Sequence, residues 1–310
     1  MIRAVRTLLT RRFVYYRLSC NNDARLTSTG VPHDMVTISA FADEISQDLD
    51  EQLAVMESEN VRHIELRSVW DTGSLRLSDD QREKIKATMD ERGFKVSSIA
   101  TGLGKYDIND DFGRELDDCQ RAVDTAKFFG CDNIRLFSYW DKKGGDVLNR
   151  KDEVLSRMAR LTEVAAKGGV ILGHENEKGI YGEKPEECRE ILDFVDSPYL
   201  KAIFDPANFI QAGVKPFEEA WSLLKDDVVY FHVKDAMLET GKVTPAGDGD
   251  GRLPEIFRDK IVDGGWEGVL SLEPHLSVPS VEGEPKGAAS FRAAVGGLRN
   301  VLDNLNIEYC

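Results

Sequence analysis

Cysteine is sparse in this chain, and its spacing excludes the usual cysteine-based sites. The 310 residues contain five cysteines, and no two of them form a CxxC pair. They are Cys20, Cys119, Cys131, Cys188 and Cys310. Isolated cysteines argue against a thiolate zinc site and against a disulfide framework. The pattern fits a reducing compartment such as the cytoplasm.

Long apolar runs and an excess of positive charge are also missing. No stretch approaches the roughly 20 consecutive apolar residues that a membrane-spanning helix needs. The formal net charge is −15, so the surface as a whole repels the phosphates of nucleic acids and of anionic lipids. We therefore expect no nucleic-acid partner and no membrane partner, and we leave a homo-oligomer open.

Residues 1–35 differ in composition from the rest of the chain. They contain six arginines and two aspartates but no lysine or glutamate. Such an arginine-rich start resembles a transit peptide, whereas its charges do not suit a secretory signal. We interpret residues 1–35 as an extension, either disordered or preceding a true start at Met35, and residues 36–310 as one folded domain.

From Val36 onward the sequence repeats one unit, a short apolar run followed by a segment of helical period. The runs are VTISAFA (36–42), HIELR (63–67), KVSSIA (95–100), NIRLFS (133–138), VILGHE (170–175), LKAIFD (200–205), VVYFHVK (228–234) and GVLSLE (268–273). Their length and β-branched content are typical of buried parallel strands. Eight such β-then-α units predict a single α/β domain, the closed (β/α)₈ or TIM barrel.

Local signals support this interpretation. Ser78 followed by two aspartates predicts the start of one helix, and Pro185 predicts the start of another. A doubly wound open sheet is the alternative fold. FADEIS (41–46), after the first run, lacks the glycine-rich phosphate loop of nucleotide-binding open sheets.

Three carboxylates and one imidazole mark the ends of four successive runs. They are Glu175, Asp205, His232 and Glu273. Because the carboxyl ends of parallel barrel strands meet at one rim, we expect these side chains to converge. Three buried carboxylates repel one another, and a divalent cation relieves that repulsion. The set suits Mn²⁺, Mg²⁺ or Co²⁺, with Zn²⁺ as a further candidate; the alternative is a group of ordinary rim ion pairs.

Other polar residues are expected near the same rim. The candidate substrate-binding residues are Glu65, Asn208, Lys234 and Arg252. Glu65 serves equally well as an ion-pair partner. Arg252 ends a glycine-rich stretch, 244–252, that either closes over a ligand or forms a flexible loop. His63 begins its run, so we expect it at the opposite rim with a structural role.

Five segments in the second half of the chain resemble the xylose isomerase-like TIM-barrel family of sugar isomerases and epimerases. They are HENEKGIYG (174–182), FDPANFIQAG (204–213), FHVKDA (231–236), PAGDGDGRLPEIF (245–257) and SLEPHL (271–276). The resemblance implies that Glu175, Asp205, His232 and Glu273 are metal ligands and that the two glutamates also act as acid–base residues. It implies a metal-dependent isomerase or epimerase that abstracts a proton from a sugar or keto-polyol and passes through an enediolate.

Two positions depart from the ketohexose epimerases of that family. Asn208 stands where they carry a histidine, and Met237 and Leu238 occupy a stretch where they carry an arginine. These departures count against a standard ketohexose 3-epimerase. The remaining alternatives are an inosose-type dehydratase that uses the same metal site and a non-catalytic sugar-binding barrel. A related DNA-repair endonuclease is disfavoured by the −15 charge and the five histidines. The sequence shows no cationic phosphate clamp, which favours a free sugar as substrate.

Overall fold

Eight parallel strands close into a barrel in the computed structural model of this protein, which describes residues 35–310. The strands are β1 (Met35–Ala40), β2 (His63–Leu66), β3 (Lys95–Ala100), β4 (Asn133–Leu136), β5 (Ile171–Glu175), β6 (Leu200–Phe204), β7 (Val228–Val233) and β8 (Val269–Leu272). Neighbours pair in chain order, and β8 pairs with β1 from Thr37 opposite Val269. The predicted TIM barrel is therefore confirmed. The proposed extension, apart from Met35, lies outside the described residues.

Helices occupy the connections between the strands. They are α1 (Leu49–Ser58), α2 (Asp79–Glu91), α3 (Phe112–Phe129), α4 (Lys151–Gly168), α5 (Pro185–Val195), α6 (Pro206–Gln211), α7 (Ser222–Leu224), α8 (Leu253–Phe257) and α9 (Ala288–Asn304). Two π-helical segments, Pro216–Trp221 and Arg258–Asp263, lie before α7 and after α8. Ser78 and Gln81 form a complete capping box at α2, and Pro185 is the first residue of α5, as predicted.

An aromatic layer packs against the outer faces of β6 and β7. The ring of Phe204 lies 5.4 Å from Trp221 and 6.0 Å from Phe231, and Phe231 lies 5.5 Å from Phe257. All four side chains are buried. Each such pair adds about 0.5–1.5 kcal/mol beyond the burial of its area. This layer holds the two strands whose carboxyl ends carry Asp205 and His232.

Short pairings complete the fold outside the barrel. Ser68–Val69 pairs with Thr72–Gly73, and Asp235–Ala236 pairs with Val243–Thr244, both antiparallel. Glu308–Tyr309 adds a short parallel pairing at the start of β1. Within residues 35–310, no helix combines the length and the apolar character that crossing a membrane requires.

His63 begins β2, at the rim opposite the strand ends, as predicted. It is buried, and in the described part of the chain neither ring nitrogen has a hydrogen-bond partner. Burial, with a smaller contribution from the charge of Lys95, lowers the pKa of His63 to about 4. Above the ordinary pKa of 6.5, His63 is neutral in both the folded and the unfolded chain, and its contribution to the free energy of unfolding is at its maximum. As the pH falls toward 4, the unfolded chain takes up the proton first, and this contribution is lost.

We predict that this histidine makes the fold sensitive to mild acid. Between about pH 8 and about pH 5, protonation of His63 should lower the free energy of unfolding by about 2 kcal/mol. Urea unfolding curves of the wild type and of His63→Leu at both pH values measure the effect. The variant should lose this part of the decrease, and an identical decrease in both proteins would show that His63 is not responsible.

Candidate metal centre

Four consecutive strands each place one ligand-type side chain at the carboxyl rim of the barrel. Glu175 ends β5, Asp205 directly follows β6, His232 is the penultimate residue of β7, and Glu273 directly follows β8. One potential ligand atom of each residue lies within 4.8 Å of those of the other three. All four residues are buried. The structure thus brings together the set that the sequence singled out.

Asp205 owes its position to the helix that starts immediately after it. Asp205 is the N-cap of α6, Pro206 is the first helical residue, and Asp205 Oδ1 accepts a hydrogen bond from the backbone N–H of Asn208 at 2.9 Å. That bond occupies one carboxylate oxygen and leaves Oδ2 for other contacts. In the DPAN sequence, one side chain therefore serves as the helix cap and as a member of the ligand-type set.

Asn208, one of the candidate substrate-binding residues, contacts the ligand set directly. Its side-chain Nδ2 donates to Glu175 Oε1 at 3.1 Å and to the backbone oxygen of Asn176 at 3.0 Å. Asn176, which the sequence interpretation passed over, exchanges two hydrogen bonds with the backbone of Asp205, at 2.9 and 3.0 Å. The signal that marks Asn176 is an amide directly after a strand-final glutamate. The two asparagines hold Glu175 and Asp205 in a fixed relation.

His232 is oriented by Glu65, a second candidate substrate-binding residue. His232 Nε2 lies 3.2 Å from both carboxylate oxygens of Glu65, which is fully buried on β2. His232 Nδ1 lies 2.9 Å from Glu175 Oε1. A carboxylate on the far nitrogen of a histidine fixes the ring and raises its basicity as a metal ligand. Glu65 therefore lies at Nε2 of the imidazole, whereas Nδ1 faces Glu175.

Lys234, a third candidate substrate-binding residue, lies among the carboxylates. Its Nζ is 2.5 Å from Glu273 Oε2 and 3.0 Å from Asp205 Oδ2, and the side chain is buried. Burial opposes the charged form, but the charges of Asp205 and Glu273 raise the pKa of Lys234 well above its usual range. The ammonium therefore stays protonated and offsets part of the negative charge.

The pKa values of the carboxylates reflect how closely they are packed. Burial raises the pKa of Asp205 to about 7; Lys234 opposes this rise, and Glu175 and Glu273 add to it. Burial also acts to raise the pKa of Glu175, but His232 and Arg135 lower it to about 2. The sequence left the direction of Arg135 undecided, and the structure points it inward, with Nη1 3.3 Å from Glu175 Oε2.

Two donor atoms of the set indicate that the residues fit a divalent cation. Among the described residues, Asp205 Oδ2 and His232 Nδ1 are buried and make no hydrogen bond of good geometry, although each lies about 3 Å from a charged neighbour. Buried polar atoms without hydrogen bonds are costly. Ligand atoms that lie close together without bonding to one another match a shared cation, and three carboxylates with one imidazole suit Mn²⁺, Mg²⁺, Co²⁺ or Zn²⁺.

The glycine-rich stretch after β7 is tied to the end of that strand. The carboxylate of Asp235 accepts backbone N–H bonds from Gly247 at 3.1 Å, Gly249 at 3.2 Å and Gly251 at 2.8 Å. A Cβ on Gly249 would lie 2.4 Å from Asp235 Oδ1, so the close approach requires glycine there. Arg252, the fourth candidate substrate-binding residue, does not join the cluster; its exposed guanidinium pairs with Glu255 at 2.6 Å.

Two histidines beside the ligands have different neighbours. His174 points away from the cluster, with Nε2 3.0 Å from Ser138 Oγ. His275 Nε2 lies 3.1 Å from Glu44 Oε1 and 3.4 Å from Glu273 Oε1, at the edge of the cluster. His275 therefore supports Glu273 from the solvent side.

We predict that the four-residue set binds one divalent cation and that Glu65 tunes its affinity. Isothermal titration of metal-stripped protein with Mn²⁺ should give about one ion per chain. Glu175→Gln should abolish binding, and Glu65→Gln should weaken it by about 10- to 100-fold because His232 loses its orienting partner. Glu83→Gln, on the exposed face of α2, is the matched control. Unchanged Mn²⁺ binding by Glu175→Gln would contradict the prediction and indicate that the four residues form only ion pairs.

Comparisons with other proteins agree with the fold. The family model described as Xylose isomerase-like TIM barrel matches residues 53–295. An uncharacterized protein of Methanocaldococcus jannaschii is 26% identical over 138 residues, which cover 43% of this chain and 46% of that protein. The match therefore spans about half the length of this relative.

Solved structures resemble the chain over most of its length. A D-tagatose 3-epimerase-like protein superimposes with a TM-score of 0.69 at 18% identity, covering 87% of this chain and 98% of that one. The probable 3-DHS dehydratase AsbF of Bacillus anthracis gives 0.67 at 16% identity, covering 86% and 99%. The IolI protein, solved with a bound zinc atom, gives 0.67 at 14% identity, covering 87% and 99%. These identities establish the fold alone, and the family match establishes that the chain belongs to the xylose isomerase-like TIM-barrel family.

Proposed function

We propose that this protein is a metal-dependent isomerase or epimerase that moves a carbon-bound proton of a sugar or keto-polyol. The observation that carries the proposal is the pairing of two buried glutamates, Glu175 and Glu273, within one ligand-type set whose atoms lie within 4.8 Å of one another. The fold shared with an epimerase-like protein supports the same reaction class.

The cation site follows from the donor set. Glu175, Asp205, His232 and Glu273 would hold one Mn²⁺, Mg²⁺, Co²⁺ or Zn²⁺ ion. When bound, such a cation supplies Lewis acidity that polarises a substrate carbonyl and acidifies the neighbouring C–H bond. Glu65 and Asn208 keep His232 and Glu175 in place for this task.

The two glutamates supply the acid–base chemistry. Despite burial, nearby cations lower the pKa of Glu175 to about 2 and that of Glu273 well below its usual range, so both are ionised near neutral pH. Either carboxylate can therefore accept a proton from carbon, which leaves an enediolate on the substrate. If the second carboxylate returns the proton from the opposite face, the carbon is epimerised. If one carboxylate returns it to the adjacent carbon, an aldose and a ketose interconvert.

Lys234 supports the same step through its charge. The ammonium is buried, stays protonated and contacts Glu273 at 2.5 Å. A fixed positive charge in a buried site stabilises negative charge that develops on a substrate oxygen. Lys234 also holds the Glu273 carboxylate in one orientation.

A dehydratase is the second candidate, and one contact favours it. His275 contacts Glu273, and hydrogen bonding to Glu44 raises the pKa of His275, so its protonated form can donate to a departing hydroxyl. The fold likeness to a probable dehydratase is consistent with this reaction. Proton abstraction is common to both candidates, and the fate of the β-hydroxyl separates them.

We predict that the Mn²⁺-loaded protein exchanges the α-proton of one or more keto-sugars or keto-polyols with D₂O. Mass spectrometry and proton NMR over a substrate panel measure the exchange. Glu175→Gln and Glu273→Gln should each reduce its rate by about 100- to 10,000-fold, because each removes an acid–base group. Glu83→Gln should exchange at the wild-type rate.

The products of that assay distinguish the candidates. A product of unchanged mass indicates an isomerase or epimerase, whereas loss of water with a new enone absorbance indicates a dehydratase. Ligand binding without exchange, unchanged in both glutamine variants, would contradict the proposal and indicate a sugar-binding barrel.

A further inference from the structure

A cavity of about 510 Å³ opens at the carboxyl rim on the side of β2, β3 and β4, next to the candidate metal centre. Its charged lining residues are Arg67, Arg76, Lys105, Arg135, Lys142, Asp107 and Asp110. The volume lies within the range of small-ligand pockets. The cavity is therefore large enough for a polyol with a charged substituent.

Cationic side chains outnumber acidic ones in the lining of this cavity, the reverse of the chain as a whole. Five cationic side chains face two acidic ones in the lining, whereas the whole sequence has 40 basic and 55 acidic residues. A cluster of positive charge on an acidic protein concentrates anions locally and repels cations. Four of the five cations also pair with a carboxylate, so the preference of the cavity for an anion depends on the donors that these ion pairs leave free.

Aromatic rings hold two of these cations without using their N–H donors. The guanidinium of Arg135 lies 5.1 Å from the ring of Phe41 and 4.9 Å from the ring of Phe137. Lys105 Nζ lies 4.0 Å from the same Phe137 ring. Cation–π contacts of this kind position the charge while leaving the polar edge of the group available.

Three of the cations keep hydrogen-bond donors available. Only 7% of the Arg135 side chain is exposed; two of its nitrogens donate to neighbouring oxygens, and its Nε has no hydrogen-bond partner in residues 35–310. Lys105 Nζ makes one ion pair, with Glu177 at 2.8 Å, and an ammonium has three donors. Lys142 packs on the Trp140 ring at 4.7 Å and is exposed at the mouth. An unpartnered buried guanidinium N–H is costly unless a ligand accepts from it.

The other two cations in the lining are paired with carboxylates and leave few hydrogen-bond donors for a ligand. Arg76 binds both oxygens of Asp118, at 2.7 and 2.8 Å. Arg67 donates to Asp43 at 2.7 Å and to Glu44 at 3.2 Å. Recognition of an anion by hydrogen bonds therefore falls to Arg135, Lys105 and Lys142.

Two arginines form a common wall between this cavity and the candidate metal centre. Arg135 Nη1 lies 3.3 Å from Glu175 Oε2, and Arg67 Nη1 lies 3.6 Å from Glu273 Oε1. Both arginines also line the cavity. A ligand whose reacting carbons lie at the two glutamates therefore has a cationic surface directly beside it.

We propose that the substrate of this protein carries an anionic group, a carboxylate or a phosphate, which binds in the cavity to Arg135, Lys105 and Lys142. That the anion belongs to the substrate rests on the proposed function, whereas the anion site itself does not. This inference replaces the expectation of a free sugar, because the cations that line the cavity come from β2, β3, β4 and the loops that follow these strands, which only the fold brings together.

Polyols without a keto or aldehyde group test the anion site independently of catalysis, since the enzyme cannot convert them to an enediolate. Isothermal titration would compare D-glucitol, D-gluconate and D-glucitol 6-phosphate, with the full chain both Mn²⁺-loaded and metal-stripped. We expect one of the two anionic probes to bind about tenfold or more tightly than D-glucitol in both forms, because charge-assisted hydrogen bonds are the strong ones. The better anionic probe identifies the group as a carboxylate or a phosphate.

Matched lysine variants locate the binding. Lys105→Met and Lys142→Met should each reduce the anionic preference several-fold, whereas Lys105→Arg should retain it. Lys127→Met, on the exposed surface near the end of α3, is the control and should bind as the wild type does.

Three results would overturn the inference. They are equal affinity for all three polyols, an anionic preference that survives both methionine variants, and a preference seen only with Mn²⁺, which would place the anion on the metal. Failure of the D₂O exchange assay alone would leave the anion preference intact, so the two proposals fail separately.

Discussion

Repulsion among three buried carboxylates at one barrel rim is the constraint around which the site is organised. Glu175, Asp205 and Glu273 are nearly inaccessible to water, and each raises the cost of ionising the others. Positive charge must therefore lie within a few ångströms. Lys234 supplies part of it directly, at 2.5 Å from Glu273 and 3.0 Å from Asp205. A divalent cation held by the same oxygens and by His232 would supply the rest.

Positive charge next to the candidate metal centre also comes from two arginines of the adjacent cavity. Arg135 and Arg67 approach Glu175 and Glu273 from the side of β2 to β4, and they also line the adjacent cavity. Residues that neutralise the ligands thus face the space in which a substrate would lie. An anionic substituent in that cavity would share these cations with Glu175 and Glu273.

The side chains at this rim are held both by local structure and by contacts across the barrel. Asp205 is fixed because it caps α6, His232 because Glu65 engages its Nε2, and the glycine-rich loop because Asp235 binds three of its N–H groups. The likeness to epimerase-like and dehydratase proteins rests on this shared barrel. In the proposed mechanism, the outcome would depend on which face of the substrate meets Glu175 and which meets Glu273.

The eight strands and the four ligand-type residues could be predicted from the amino-acid sequence, because apolar periodicity and strand-final polar residues are local patterns. The sequence did not determine what surrounds them. Glu65 and His232, which form one hydrogen-bonded pair, lie 167 residues apart. The direction of the Arg135 side chain and the contact between Lys105 and the Phe137 ring were likewise decided only by how the strands and loops pack. Strand pairing and the paths of the loops set these long-range contacts, and the spacing of residues along the chain predicts neither of them.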